Sequence, residues 1–223
     1  MKYYTLTAKG ELFSKLNVNE TRNLLQLLRI LNALRYHMNL LKKYSTNRLT
    51  IYSTYNKLEE TYILASIIKE SIKELFGNGK VIDDLSNIIT DNSIKCACND
   101  KKKYYDQYKT NTDLMFLDYL RNTFSFHFSK EIYDDIISDG ENKKDVIVGI
   151  SKSYKNGDMF YSIINDIMLM KIEEYIHKHN IDKKVEEYLF DVVYGEAISI
   201  YKFTNKVAAS ICKGYMKKIK TAF

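Results

Sequence analysis

Within residues 118–135, DYLRNTFSFHFSKEIYDD, three polar side chains, Arg121, Asn122 and His127, stand in a run rich in Leu, Phe and Tyr. A guanidinium can hold an oxyanion through two parallel hydrogen bonds, and an imidazole with a pKa near ~6.5 can take or give a proton at neutral pH. Burying such groups without partners costs several kcal/mol. Either they find polar partners and their role is structural, or they face a cleft and do chemistry.

The geometry of a straight helix, with each residue advancing about 100°, puts Leu114, Leu117, Arg121, Phe124 and Phe128 on one stripe. Arg121 is then expected in the middle of an apolar seam. By the same arithmetic His127 lies about 120° round from Arg121, beside Leu120, with Asn122 on the other side. All three can act on one group only if the helix bends or ends near His127, which a cap at Ser129 would allow.

The elements that must position these residues are helical. Residues 20–44 carry Leu24, Leu27, Leu28, Leu31, Leu34, Met38 and Leu41, the spacing of an amphipathic helix with a wide apolar face. A second helix is predicted from about Thr50 to Phe76, with Leu58, Tyr62, Ala65, Ile68, Ile72 and Leu75 on one face and Gly77-Asn78-Gly79 as its stop. The two should pair antiparallel. Residues 77–112 turn polar apart from a short apolar piece near Val81–Ile89, so a small helix is expected there and then a loop over 90–112, of a length often functional or mobile. The motif helix should begin near Thr112 or Asp113, either a competent cap, and a short successor should follow Ser129 and stop at Asp139-Gly140. In DVIVGISKSYKNGDMFYSII, Asn156-Gly157 between two apolar runs predicts a hairpin with strands near 145–151 and 159–163. Two closing helices are expected over 164–179 and 182–217, and Gly195 marks where the second could break. The expected fold class is all-α, a single helical-bundle domain over residues 1–223 with a small β-hairpin insertion near 145–163.

Composition is compatible with that fold. A chain of 223 residues with 45% apolar side chains can bury a proper core, and it has no proline to interrupt a long helix. The bias toward Lys, Asn, Ile and Tyr makes single Lys or Tyr residues weak signals. A net charge of +6 suits a polyanionic partner without requiring one. Three cysteines, Cys96, Cys98 and Cys212, and an N-terminal MKYYTLTAKGELF without the apolar core of a signal peptide point to the reducing cytoplasm. No apolar run approaches the ~20 residues of a membrane span, so no membrane partner is expected.

LRNTFSFHF resembles the Arg-x(4-6)-His motif of the HEPN superfamily, helical proteins found in bacterial toxins, abortive-infection systems and RNA-cleaving effectors. Arg121 matches the family arginine, Asn122 the polar residue that commonly follows it, and His127 the histidine. The long antiparallel helix pair ahead of the motif is similar to the family layout. The resemblance implies an endoribonuclease, a toxin or phage-defence effector, in which the RNA 2′-hydroxyl attacks its own 3′-phosphate. It implies His127 as general base or acid, Arg121 as the ligand of the scissile phosphate, and Asn122 as the group that orients the phosphate or the imidazole. It further implies a homodimer with two motif helices across one cleft, and an antitoxin protein as partner. HEPN toxins paired with a nucleotidyltransferase antitoxin often carry Tyr two places after the histidine; Ser129 stands there, which puts that form of regulation in doubt.

Other candidates are read against ordinary structural roles. Lys101, Lys102, Lys103, Tyr104 and Tyr105, in KKKYYDQYK, interleave cations with rings as a single-stranded RNA site does, although a solvated loop has the same composition. Cys96-Ala-Cys98 lacks a second Cys or His pair, so it reads as two thiols and not a zinc site. His177 and His179 fall at a helix C-terminus, where imidazolium favours the dipole. GNGK at 77–80 lacks the Ser or Thr of a phosphate loop and reads as a C-cap. Glu59-Glu60, Asp83-Asp84, Asp134-Asp135, Glu173-Glu174 and Glu186-Glu187 are adjacent pairs whose members do not share a helix face. They read as solvated faces, so neither a metal nor another cofactor is expected. Two alternatives to the ribonuclease stay open: a non-catalytic HEPN-like RNA- or nucleotide-binding or dimerisation module, and a purely structural protein in which Arg121 pairs with Asp118 or another carboxylate.

Overall fold

The computed structural model describes residues 5–8, 14–46, 51–124, 148–150, 159–161, 163–213 and 216–219. Its class is all-α. Helices α1 (Val18–Thr46), α2 (Ile51–Phe76), α3 (Val81–Ser86), α4 (Asn92–Asp106), α5 (Thr112–Phe124), α6 (Ile163–Lys178) and α7 (Val185–Cys212) carry most of the described chain. None of the described helices is long and apolar enough to cross a membrane. The strands are minor. β1 (Thr5–Ala8) pairs antiparallel with β4 (Met216–Ile219), Thr5 opposite Ile219, and β2 (Val148–Ile150) pairs antiparallel with β3 (Met159–Tyr161), Val148 opposite Tyr161. Residues 151–158, with the Asn156-Gly157 turn of the expected hairpin, lie outside the described residues, as do Ser129 and the helix expected to follow it.

Local chemistry sets the helix ends. Asn17 and Glu20 form a reciprocal box at the start of α1: Glu20 N donates to Asn17 Oδ1 at 2.9 Å and Asn17 N donates to Glu20 Oε2 at 2.8 Å. α2 stops where expected, with Gly77 N donating to Lys73 O at 2.9 Å; a Cβ on Gly77 would stand 2.7 Å from that oxygen. Gln26 bonds Glu74 and His37 bonds Glu60, the order of contacts an antiparallel pair of helices makes.

Two expectations are corrected. The loop over 90–112 is largely the helix α4: Asp91 caps it by accepting from Ser93 N at 2.9 Å, and Ile94, Cys98, Lys101 and Tyr105 recur at helical spacing, with Cys98 and Tyr105 buried. Hydrogen bonds from the Ser93 hydroxyl, at 2.6 Å, and then from its backbone N–H hold the Asp91 carboxyl below its ordinary range. The closing helix runs unbroken through Gly195, which is exposed with nothing within 4 Å of a Cβ built on it. Val192, Val193, Ala197 and Ile200 are buried on the turns around it, and their packing outweighs a glycine penalty of ~1 kcal/mol. That helix also ends at Cys212, and Met216 and Lys217 belong to β4.

The chain groups into two compact units, each with its own core. The first comprises Met1–Tyr36, Ile67–Met115 and Glu196–Phe223. Leu24, Leu27, Leu34, Ile68, Leu75, Leu85, Ile200 and Val207 are buried there, and the Phe76 ring meets Tyr105 at 4.9 Å and Phe203 at 5.6 Å. The second comprises His37–Ser66 and Phe116–Gly195. Its buried side chains include Leu41, Leu64, Phe116, Leu117, Leu120, Ile172 and Val193.

Candidate functional site

α5 begins at Thr112, as expected, but the residue that caps it is Asn111 and not Thr112 or Asp113. Asn111 Oδ1 accepts from Leu114 N at 3.1 Å while Asn111 O accepts from Met115 N at 2.9 Å, so asparagine satisfies one of the helix's orphan donors. Leu114, Phe116, Leu117, Leu120 and Phe124 form the buried face. Phe116 is the anchor of the second unit. Its ring lies 4.8 Å from that of Tyr188 and 5.2 Å from that of Tyr175, both at tilted angles, and Tyr119 stacks on Tyr175 at 4.7 Å. Tyr119 OH donates to Lys171 O at 3.1 Å. Burial, and then the charge of Glu174, push the Tyr119 hydroxyl up to about 12.

This packing changes one inference drawn from the sequence. An apolar motif helix carrying Phe116, Leu117, Phe124 and Phe128 needs a cover, which in the implied homodimer a second copy would supply, yet Phe116, Leu117 and Phe124 are 0%, 0% and 5% exposed within a single chain, and Phe128 lies outside the described residues. The chain supplies the cover itself. The dimer then rests on the resemblance alone.

Arg121 is half-buried and Asn122 is exposed. Arg121 Nη1 donates to Asn122 Oδ1 at 2.9 Å, so the amide that follows the arginine holds one edge of its guanidinium. The two residues are brought together at the end of α5 that leads to His127. His127 itself lies outside the described residues.

Lys101, Lys102, Tyr104 and Tyr105 are committed inside the first unit, against the expectation of a free basic and aromatic strip. Tyr105 is 4% exposed, and its hydroxyl donates to Glu196 Oε1. Tyr104 OH donates to Glu196 Oε2 at 3.3 Å, and burial beside that carboxylate pushes the Tyr104 hydroxyl up to about 12. Lys101 Nζ donates to Ser199 Oγ at 2.5 Å and lies 5.0 and 5.4 Å from the centres of the Tyr104 and Tyr105 rings. Lys102 pairs with Asp83 at 2.6 Å. Lys103 is exposed. The buried Tyr105 ring cannot stack on a base; with Lys101 and the half-buried Tyr104 it braces α4 against Glu196 and Ser199 of α7. The composition was read correctly; the helix that folds its rings inward was not.

Asp83, its side chain 41% exposed, pairs with Lys102 on a solvated face as read; one carboxylate read as solvated is placed otherwise. Glu60 is 6% exposed, and its Oε1 stands 2.5 Å from His37 Nδ1. Burial raises the Glu60 carboxyl above its ordinary range, while the hydrogen bond and charge of His37 only partly offset this. The adjacency of Glu59 and Glu60 could not reveal this, because the partner is on another helix.

The remaining candidates are structural. Cys98 is buried and its thiol is pushed up to about 11 by desolvation and then by Asp83, while Cys96 is an exposed free thiol. His177 lies in the last turn of α6, and the His179 ring packs on Tyr175 at 4.2 Å. An open cavity of about 180 Å³ is lined by Asn17, Asn19, Glu20, Asp84 and Asn87, but Asn17 and Glu20 cap α1 and Asp84 accepts from Asn23 Nδ2 at 2.8 Å. Among the described residues, no group of three or more His, Cys, Asp or Glu side chains is placed to hold a metal ion. Comparison with protein-family models, with curated proteins and with solved structures finds no match to this chain.

Proposed function

We propose that this chain is a HEPN-like endoribonuclease that works without a metal, as a toxin or phage-defence effector. The observation that carries the reading is the Arg121–Asn122 pair: a half-buried guanidinium, held at one edge by an exposed amide, on a helix whose apolar face is otherwise closed. The all-α class and the order of elements, a long helix pair ahead of the motif helix, agree with the family layout. The proposal treats the β2–β3 pair as part of a variable insertion.

In the reaction, the RNA 2′-oxygen forms a bond to the adjacent phosphorus and the bond from phosphorus to the 5′-oxygen breaks. The products are a 2′,3′-cyclic phosphate and a 5′-hydroxyl. His127 takes the proton from the 2′-hydroxyl or gives one to the leaving 5′-oxygen. Arg121 binds the non-bridging oxygens and stabilises the charge that grows on them, with Asn122 keeping the guanidinium in position. Homodimerisation and control by an antitoxin belong to the same proposal.

The test is cleavage of cellular RNA by purified wild type, Arg121→Ala and His127→Ala. Each variant should lose ~10²-fold or more of the rate, with circular dichroism and melting temperature close to wild type. Folded variants that cleave at the wild-type rate would contradict the assignment. RNA binding without cleavage, unchanged by either variant, would favour the non-catalytic module.

A further inference from the structure

We draw no further inference here: the strongest candidate, the buried His37–Glu60 pair that joins α1 to α2, carries only a pH-dependent contribution to stability, and nothing among the described residues shows a ligand or an element for it to act on.

Discussion

Replacing Phe116 with alanine should cost the second unit about 3–5 kcal/mol, the usual loss for a fully buried phenylalanine once the cavity left behind is included. The side chain is 0% exposed, and its ring is held between Tyr188 at 4.8 Å and Tyr175 at 5.2 Å. Deleting it removes both ring contacts and leaves a void that Tyr175, itself stacked on Tyr119, is poorly placed to fill. Against a total stability of ~5–15 kcal/mol, that is a large fraction. For a chain of this size each kcal/mol lowers the melting temperature by about 2–4 °C, so the transition should fall by about 6–20 °C. Urea denaturation of wild type and Phe116→Ala at several protein concentrations measures the difference directly. Because one chain covers the motif helix, the difference should not change with concentration. A loss below ~1 kcal/mol, or one that grows with dilution as an intermolecular cover would require, would refute the packing described for α5.

Glu60→Gln should change the pH dependence of stability. Burial raises the folded Glu60 carboxyl above its ordinary value of 4.5, so the folded state keeps a proton that the unfolded chain releases. The contribution of that group is complete below the unfolded value and is lost as pH rises through the folded one. The variant, which has no proton to lose, should gain on wild type as pH rises from about 4, and a difference in melting temperature that stays flat with pH would contradict this. Gly195→Ala should stabilise by about 0.5–1 kcal/mol, since the position is exposed, lies inside α7 and offers a Cβ nothing within 4 Å. Destabilisation in urea would show that the helix is not continuous there.

The long apolar helices were legible because their signal is local. α1 and α2 extend to within two residues of the bounds set by the spacing of Leu24 through Leu41 and of Leu58 through Leu75. α4 was hidden by its composition. Its stripe of Ile94, Cys98, Lys101 and Tyr105 has helical spacing, but two of those four residues were being weighed as a ligand-binding strip and one as a thiol. The β1–β4 pairing joins residues more than two hundred positions apart and has no local period to reveal it. The same distance problem hid the partner of Glu60, because nothing at residue 60 points to His37. At the motif, the wheel correctly put Leu114, Leu117 and Phe124 on a buried face. It missed that Phe116, against the rings of Tyr175 and Tyr188, and Leu120 would be buried too, and that Arg121 would be half-buried beside Asn122 and not in the middle of the seam.

The central claim is that Arg121 and His127 cleave RNA by using its own 2′-hydroxyl. The most direct measurement is end-group analysis of the products of a defined oligoribonucleotide in excess EDTA, beside a copy with a 2′-deoxy sugar at the scissile position. The account predicts undiminished cleavage of the first into 2′,3′-cyclic phosphate and 5′-hydroxyl ends, and no cleavage of the second at that position. Products with 5′-phosphate ends, cleavage of the deoxy-substituted copy, or activity lost in EDTA while the fold persists would contradict it.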